Sequence, residues 1–333
     1  FSHESLKKRF SGIDIENIYI PGNHDRLCWL LPLLKEKVTE CLGLDRNNNE
    51  NFKHYYSNSE HGLYALHGHR FDSFNYEGGP YHTVQDHEMI PIGDPMTTEI
   101  FVKIPYKLMQ KIKKTKILDE KEKIQLRKNF QEIGNIRPFG ATFKWLFYQI
   151  SANIRVEEII EDTINEVITE FEKLKFVKKW YKQHDRWYPF EMVDILQAAF
   201  GALKNIKVFS FDKLVNVADN LINKFSSGYD VKGAKKLFCT LSDNYQYIIM
   251  GHTHKSCQVP LMINLNEVSK IKEYIYLNTG TWIKNYYECK EDNGFIGWKN
   301  MSYVIVYTPD EKPNKHNLSV FETWQGTLKR EEK

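Results

Sequence analysis

Five of the twelve histidines lie in three short segments. Each segment contains a glycine, and each comes after a predicted strand. The segments are Gly22-Asn23-His24-Asp25-Arg26, His67-Gly68-His69-Arg70-Phe71-Asp72 and Gly251-His252-Thr253-His254. Imidazole nitrogens and amide or carboxylate oxygens are ligands of divalent metals such as zinc, manganese and iron. Glycine lets the backbone turn sharply and brings such side chains together. The three segments together predict a metal site.

Each segment alone has a plainer interpretation. A single His-x-His is also typical of an exposed pair, and Asn and Asp favour turns. His67 follows an apolar strand, where a histidine can simply be a hydrogen-bonded part of the core. Three strand ends that carry Gly and His in this order are harder to explain in that way, and they favour metal chemistry.

The elements that would position these segments are strands at both ends of the chain. Alternating or β-branched stretches predict strands at 15–20, 52–57, 63–67, 245–250, 273–277, 302–307 and 318–323. Helical spacing replaces them from 94 to 230, most clearly from Val156 to Leu174. A single helix is also predicted from Leu27 to Leu42, ended by Gly43. We therefore expect an α/β protein with one domain formed by 1–93 and 231–325, and a helical cap insertion at 94–230.

The three segments, with Asn278-Thr279-Gly280-Thr281-Trp282, resemble the calcineurin-like metallophosphoesterases over 1–93 and 231–325. The resemblance implies a two-sheet sandwich flanked by helices. It also implies hydrolysis of a phosphomonoester or phosphodiester at two divalent metal ions (Mn, Zn or Fe), through a hydroxide that bridges them. By position it assigns Asn23, His67 and His252 to one metal and His254 to the other. His24 would protonate the leaving oxygen, and Asp25 would orient His24.

The family also has an Asp-x-His and a Gly-Asp-x-x-Asp motif before its Gly-Asn-His-Asp motif. Neither precedes Gly22, and the nearest candidates, His3 and Asp14, match neither motif. We therefore expect the first strands of the fold to be missing from this sequence. One metal then keeps three ligands and the other keeps one.

Other residues near the three segments have open roles. Arg26 could hold a substrate phosphate, because a guanidinium pairs with phosphate oxygens, or it could form a surface salt bridge. His69, Arg70 and Asp72 could support the ligands, contact the substrate or be structural. The aromatic residues between Trp180 and Phe190 could line a substrate groove or pack inside the cap.

Composition narrows the class of protein. Of the 333 residues, 41% are hydrophobic and 27% charged, which suits a folded chain with a sizeable core. The net charge of +3 gives no electrostatic reason to favour nucleic acid as a partner. No apolar run is long enough to span a bilayer. Five scattered cysteines without a C-x-x-C pair indicate a reducing, cytoplasmic location rather than a disulfide framework.

The sequence thus predicts a metal-dependent phosphoric ester hydrolase whose partner is a phosphate-ester substrate. Two alternatives stay open. A lipid-linked pyrophosphatase would use the aromatic cap over acyl chains, and an inactive scaffold on the same fold would explain the missing motifs. The chain retains the site residues Asn23, His24, His67, His252 and His254. This favours the enzyme over the scaffold, because an inactive site has no physical need for them.

Overall fold

The computed structural model describes residues 5, 8–13, 15–44, 53–79, 84–137, 141–151, 157–185, 192–204, 228–241, 244–264, 272–292, 294–311 and 319–329. The chain divides into two compact units. The sheet unit contains Phe1–Pro91, Gly228–Trp282 and Asn300–Thr327. The helical unit contains Ile92–Ser227, Ile283–Lys299 and Leu328–Lys333. The predicted cap, 94–230, lies in the helical unit except for its last three residues, but 283–299 also belongs to that unit, which the sequence did not indicate.

The described residues form both strands and helices, with most helices grouped in the middle of the chain, so the chain is of the α/β class. The strands are β1 (Tyr55–Asn58), β2 (Leu63–Leu66), β3 (Ile136–Arg137), β4 (Tyr247–Met250), β5 (Ser256–Asn264), β6 (Lys272–Thr279), β7 (Lys284–Glu288), β8 (Phe295–Tyr307) and β9 (Val320–Leu328). The α-helices are α1 (Leu27–Leu30), α2 (Pro32–Leu42), α3 (Gly93–Met96), α4 (Lys103–Lys113), α5 (Glu120–Gln131), α6 (Thr142–Ser151), α7 (Glu157–Lys173), α8 (Lys175–His184), α9 (Met192–Lys204) and α10 (Tyr229–Phe238). Within the described residues, no helix is long and apolar enough to cross a bilayer.

The sheet unit contains a five-stranded mixed sheet in the order β1-β2-β4-β6-β5. Its three central strands, β2, β4 and β6, are parallel, whereas β1 and β5 pair antiparallel with their neighbours at the edges. The carboxyl ends of the three parallel strands therefore lie along one edge of the sheet, which is where such sheets collect functional residues. His67 follows β2, Gly251 follows β4 and Gly280 follows β6.

One face of this sheet is covered by α10. Tyr64, Ile248 and Tyr276 from neighbouring strands pack in one buried cluster with Leu237 and Phe238 of the helix. Buried positions also include Leu66 of β2, Met250 of β4 and Leu277 of β6, near the carboxyl ends of the three strands. This core fixes the strand ends that carry the segments beginning at His67 and Gly251.

The N-terminal part of the sheet unit differs from the prediction in two respects. The segment 15–20 is not a strand. Only Tyr19 forms a β-bridge, and its carbonyl accepts a hydrogen bond from the Lys53 amide at 3.2 Å. The predicted helix from Leu27 to Leu42 is divided into α1 and α2, because Leu31 is extended ahead of Pro32, which occupies the first turn of α2. Gly43 ends α2 in the left-handed conformation, as predicted.

Most other predicted strands are confirmed. The hairpin β1–β2 and the strands β4, β6, β8 and β9 each overlap a predicted segment. The sequence analysis missed β5, which lies at a sheet edge and contains Pro260 next to a register shift. Proline has no amide hydrogen to donate, so it is tolerated only at such edges and bulges, and it obscured the strand pattern. The short strands β3 and β7 were also missed.

The helical unit is built around α7, whose apolar stripe the sequence predicted. Its inward side chains are fully buried and include Ile164, Val167 and Phe171. On its other side, Glu166 and Glu170 pair with lysines of α4. In the same unit β3 pairs with β7 in parallel, and β7 pairs with the first residues of β8. These pairings explain why 283–299 joins the helical unit. Residues 212–225 of the predicted helical stretch lie outside the described residues.

Candidate metal centre

Two of the predicted ligands, His67 and His252, lie next to each other at the carboxyl edge of the sheet. Their ring centroids are 5.1 Å apart, although the residues are far apart in the chain. The parallel pairing of β2 with β4 brings them together, because each histidine comes just after the end of its strand. Tyr229, at the start of α10, lies beside the second ring, with 5.9 Å between centroids.

The Gly22–Arg26 segment forms a tight turn against His67. Asn23–Asp25 is a single turn of 3-10 helix, and the Gly22 amide donates to the Asp25 carboxylate at 2.9 Å. A Cβ atom on Gly22 would lie 2.5 Å from His67 Nε2, far inside contact distance. Glycine is therefore required here by the close approach of the imidazole. Burial and the Asp25 carboxylate raise the pKa of Tyr19, whose hydroxyl is hydrogen-bonded to Asp25.

Both histidines have one ring nitrogen occupied by another side chain. His67 Nδ1 is 3.1 Å from His69 Nδ1, so one of these two nitrogens donates and the other accepts. His252 Nε2 is 2.9 Å from Asp72 Oδ2. His69 is buried, with 2% of its surface exposed, and the edge of the Tyr76 ring packs against it. These two contacts thus involve Nδ1 of His67 and Nε2 of His252.

Asp72 is buried and held within a compact turn. Its carboxylate accepts hydrogen bonds from the Phe74 amide at 2.9 Å and from Asn75 Nδ2 at 2.7 Å, in addition to His252. Burial alone would raise the pKa of Asp72, but the hydrogen bonds from His252, Asn75 and Phe74 outweigh it and lower the pKa below its ordinary value. The carboxylate is thus held in its ionised form.

Asn23 is linked to the same turn. Its Nδ2 donates to Asn75 Oδ1 at 3.1 Å, and the residue is 93% buried, with 7% of its surface exposed. Its Oδ1 is buried and has no hydrogen-bond partner in the part of the chain that the structure describes. A buried acceptor without a partner is costly, on the order of 1–3 kcal/mol, and such groups usually have a specific reason.

The remaining predicted site residues are all at least partly exposed. His24 is exposed on the 3-10 turn. Arg26 Nη1 donates to the Met89 carbonyl at 3.1 Å. His254 has a positive φ of 61°, an uncommon conformation for a residue with a side chain.

The loop that carries His252 and His254 is fastened to β6. Asn278 donates from Nδ2 to Thr253 Oγ1 at 3.0 Å and to the Tyr276 hydroxyl at 2.7 Å, and its Oδ1 accepts from the Gly280 amide at 2.9 Å. The Tyr276 hydroxyl in turn donates to Asp230 Oδ2 at 2.8 Å. This chain of hydrogen bonds fixes the position of the loop relative to the sheet.

Asn23, His67 and His252 carry the kinds of donor atom that a divalent metal accepts. They are a buried amide oxygen without a partner among the described residues and two imidazoles, each with one ring nitrogen held by a neighbouring side chain. No group of three or more His, Cys, Asp or Glu side chains has metal-binding geometry among the described residues. The set therefore depends on the Asn23 oxygen. Apart from His254, no ligand predicted for a second metal lies among the described residues, so the fit extends to one metal only.

A cleft opens beside the cluster. It is lined in part by Asn23, Arg26, His69, Asn75 and His87, and its empty space, including solvent at the mouth, is about 250 Å³. The cleft reaches from three predicted site residues, Asn23, Arg26 and His69, to Asn75 and His87, which no motif indicated. Asn75 could have been noticed as the end of an Asp-x-x-Asn turn, whereas nothing in the sequence signalled His87.

His87 belongs to a stack of three aromatic rings behind the cleft. Trp29 of α1, His54 and His87 lie nearly parallel, with centroids 4.1 to 5.3 Å apart. Burial and the neighbouring His54 ring lower the pKa of His87 to about 4. The stack supports α1 and hence the turn that precedes it.

No family model, curated protein or solved structure matches this chain, so the geometry and the motifs carry the functional argument.

Proposed function

We propose that the protein is a metal-dependent phosphoesterase with the fold of the calcineurin-like metallophosphoesterases, acting on a phosphomonoester or phosphodiester. The observation that carries the proposal is the buried Asn23 Oδ1, which has no hydrogen-bond partner among the described residues. Asn23 lies in a turn packed against His67, and hydrogen bonds link it through Asn75 to Asp72, the residue that contacts His252. The order of the Gly-Asn-His-Asp, His-Gly and Gly-His-x-His segments points to the same chemistry.

In this proposal Asn23, His67 and His252 hold a divalent cation such as Zn²⁺, Mn²⁺ or iron. A divalent cation supplies polarisation of the phosphoryl group and acidification of water. His254 would serve a second cation, for which the described residues offer no complete set of ligands. The buried contacts of His67 with His69, and of His252 with Asp72, hold the two rings in place.

His24 is proposed as the general acid, because it is exposed on the turn that carries Asn23. In the hydrolysis, water oxygen bonds to phosphorus, the bond from phosphorus to the leaving oxygen breaks, and His24 gives its proton to that oxygen. The proton released by water passes to solvent. Asp25 fixes this turn through the Gly22 amide and the Tyr19 hydroxyl. Arg26 and His69 line the cleft and are proposed to contact the substrate phosphate.

The test compares leaving groups in the 333-residue chain loaded with Zn²⁺ or Mn²⁺. His24→Ala should lower hydrolysis of methyl phosphate by at least about 100-fold and that of p-nitrophenyl phosphate far less, because a nitrophenolate leaves without protonation. His184→Ala, on α8, is the matched control and should change neither rate. Equal losses on both substrates would remove His24 as the acid, and a wild-type chain that binds neither Zn²⁺ nor Mn²⁺ would contradict the proposed function.

A catalytically inactive metal-binding scaffold is the second candidate. It is favoured by one observation, that His254 is the only predicted ligand of the second metal among the described residues. Tight binding of one Zn²⁺ per chain without hydrolysis of any phosphoester would support it. A lipid-linked pyrophosphatase stays a narrower form of the enzyme proposal. All five cysteines are free thiols, which supports a proposed location in a reducing compartment such as the cytoplasm.

A further inference from the structure

We propose that Asp72 and Asn75 are positioning residues that select which atoms of His252 and Asn23 face the metal. The inference rests on the metal-binding part of the proposed function and assigns roles that neither the motifs nor the ligand set provide. Both residues lie in one turn after β2, in which the Asn75 amide donates to the Asp72 carbonyl at 2.9 Å. One turn therefore contacts two predicted ligands that lie 52 residues before it and 180 residues after it.

The first step concerns the tautomer of His252. The Asp72 carboxylate accepts hydrogen bonds from the Phe74 amide and from Asn75 Nδ2, and both of these groups are donors only. An acceptor-only carboxylate requires the proton of its third partner, so the hydrogen of neutral His252 is placed on Nε2. Its Nδ1 then carries the lone pair that a metal needs. Without Asp72, nothing in this contact would choose between the two tautomers.

The second step concerns the orientation of the two amides. The oxygen and nitrogen of an Asn side chain are assigned from their hydrogen bonds. Asp72 can only accept, so Asn75 must present its nitrogen to Asp72 and its oxygen to Asn23. Asn23 must then donate through its own nitrogen. Its oxygen is thereby directed away from Asn75, and this is the buried oxygen that has no partner among the described residues.

The two steps start from the same carboxylate. Asp72 fixes a nitrogen lone pair on His252 directly and an oxygen on Asn23 through Asn75. When the donor atoms of a ligand set are already oriented, little free energy is spent on arranging them when the cation binds. Removal of the side chains that orient them typically lowers metal affinity by about 10- to 100-fold. A purely structural role for Asp72 would lower stability without changing the tautomer of His252.

The experiment uses the full chain with ¹⁵N-labelled histidine and Zn²⁺ as the probe. In the metal-free wild type, the two ring nitrogens of His252 should show the Nε2–H tautomer. Asp72→Asn should produce a mixture of both tautomers and weaken Zn²⁺ binding, measured by calorimetry, by about 10- to 100-fold. Asp194→Asn, on α9 of the helical unit, is the control, because Asp194 is exposed and lies outside the segments that carry the predicted ligands. It should leave the tautomer and the Zn²⁺ affinity unchanged.

Asn75→Ala separates the two steps. It should weaken Zn²⁺ binding while His252 keeps the Nε2–H tautomer, since its carboxylate partner is still present. A wild-type His252 protonated on Nδ1, or an Asp72→Asn variant with wild-type affinity, would overturn the inference while leaving the proposed function intact. Absence of Zn²⁺ binding by the wild type would overturn both. If Asp72→Asn does not fold, the wild-type tautomer and the Asn75→Ala affinity still decide the matter.

Discussion

The interiors of the two units differ in the kind of polar side chain that they bury. Among the described residues, the buried histidines and aspartates (His69, Asp72, Asp86 and His87) all belong to the sheet unit. The buried polar residues of the helical unit are the neutral Thr142, Thr163 and Asn285. The helical unit otherwise has an apolar interior, and its charged groups pair at partly exposed positions, as Lys107 does with Glu166 and Glu170.

This difference distinguishes residues that stabilise the fold from residues that can take part in chemistry. Burying an ionisable group is costly unless its hydrogen bonds are satisfied, so a chain keeps such groups where they have a task. In the sheet unit they lie after the carboxyl end of β2 and around the neighbouring cleft. The helical unit should therefore respond to mutation through its packing, and the sheet unit through metal binding and pH.

The largest effect is expected from the apolar interior of the helical unit. Ile164 is fully buried in the middle of α7, and Ile164→Ala should lower the free energy of unfolding by about 3 kcal/mol through the lost contacts and the cavity left behind. Urea unfolding measures this loss. The folded variant should bind Zn²⁺ as the wild type does. A weakened Zn²⁺ affinity with little loss of stability would contradict the division of roles between the units.

The second effect concerns matched histidines in the two units. His252→Ala should reduce Zn²⁺ affinity by more than about 100-fold, since removing a ligand should cost at least as much as removing its supporting partner. His184→Ala removes a histidine whose ring stacks on Trp180 and whose Nδ1 contacts the Trp180 carbonyl at 3.0 Å. Calorimetry should find its Zn²⁺ affinity within twofold of the wild type. Similar losses in both variants would mean that Zn²⁺ binds elsewhere or nonspecifically.

The third effect is a pH dependence expected from the sheet unit. His87 has its pKa lowered to about 4, first by burial and then by the adjacent His54 ring, against about 6.5 in the unfolded chain. Below pH 6.5 the unfolded chain binds a proton that the folded chain does not, so the free energy of unfolding falls as the pH drops towards 4. Between pH 7 and pH 5 this loss should be about 2 kcal/mol.

His87→Gln isolates that contribution. Urea unfolding of the variant at pH 7 and pH 5 should show a smaller decrease than the wild type, because the residue that takes up the proton on unfolding is gone. His184→Ala should keep the wild-type decrease. An identical pH dependence in wild type and His87→Gln would show that other groups produce the effect.

The smallest effects come from two glycines. Gly22→Ala would place a methyl group 2.5 Å from His67 Nε2 and should reduce Zn²⁺ affinity by about tenfold by displacing the ring. Gly201, inside α9, has open space around an added Cβ, so Gly201→Ala should raise the free energy of unfolding by about 0.5–1 kcal/mol. Calorimetry and thermal unfolding of both variants test the pair. A Gly22→Ala variant with unchanged affinity would place His67 outside the metal site.

Local patterns predicted much of the fold, because they depend on neighbouring residues. The stripe from Val156 to Leu174 predicted α7, and Gly43 predicted the end of α2. The predictions of strands were wrong where strand formation depends on pairing between residues far apart in the sequence. The apolar segment 15–20 has the composition of a strand but forms only one bridge, and β5 forms at a sheet edge despite Pro260.

The candidate site was predictable as a set of segments but not as a network. The three glycine- and histidine-rich segments indicated that His67 and His252 would meet, and their rings are neighbours in the structure. The link from Asn23 through Asn75 to Asp72 depends on a turn whose partners are far away in sequence. No local pattern can reveal the direction of such hydrogen bonds, because it follows from which atoms are left to accept.

The most direct test of the account is a Zn²⁺ titration of the full chain, followed through the ring nitrogens of its histidines by ¹⁵N NMR. The account predicts that Nε2 of His67 and Nδ1 of His252 shift first and together, at up to one equivalent of Zn²⁺. The stacked rings of His54 and His87, and the ring of His184 in the helical unit, should stay unchanged over the same range. Zn²⁺ that perturbs those rings first, or that leaves His67 and His252 unchanged, would contradict the metal centre and the function proposed from it.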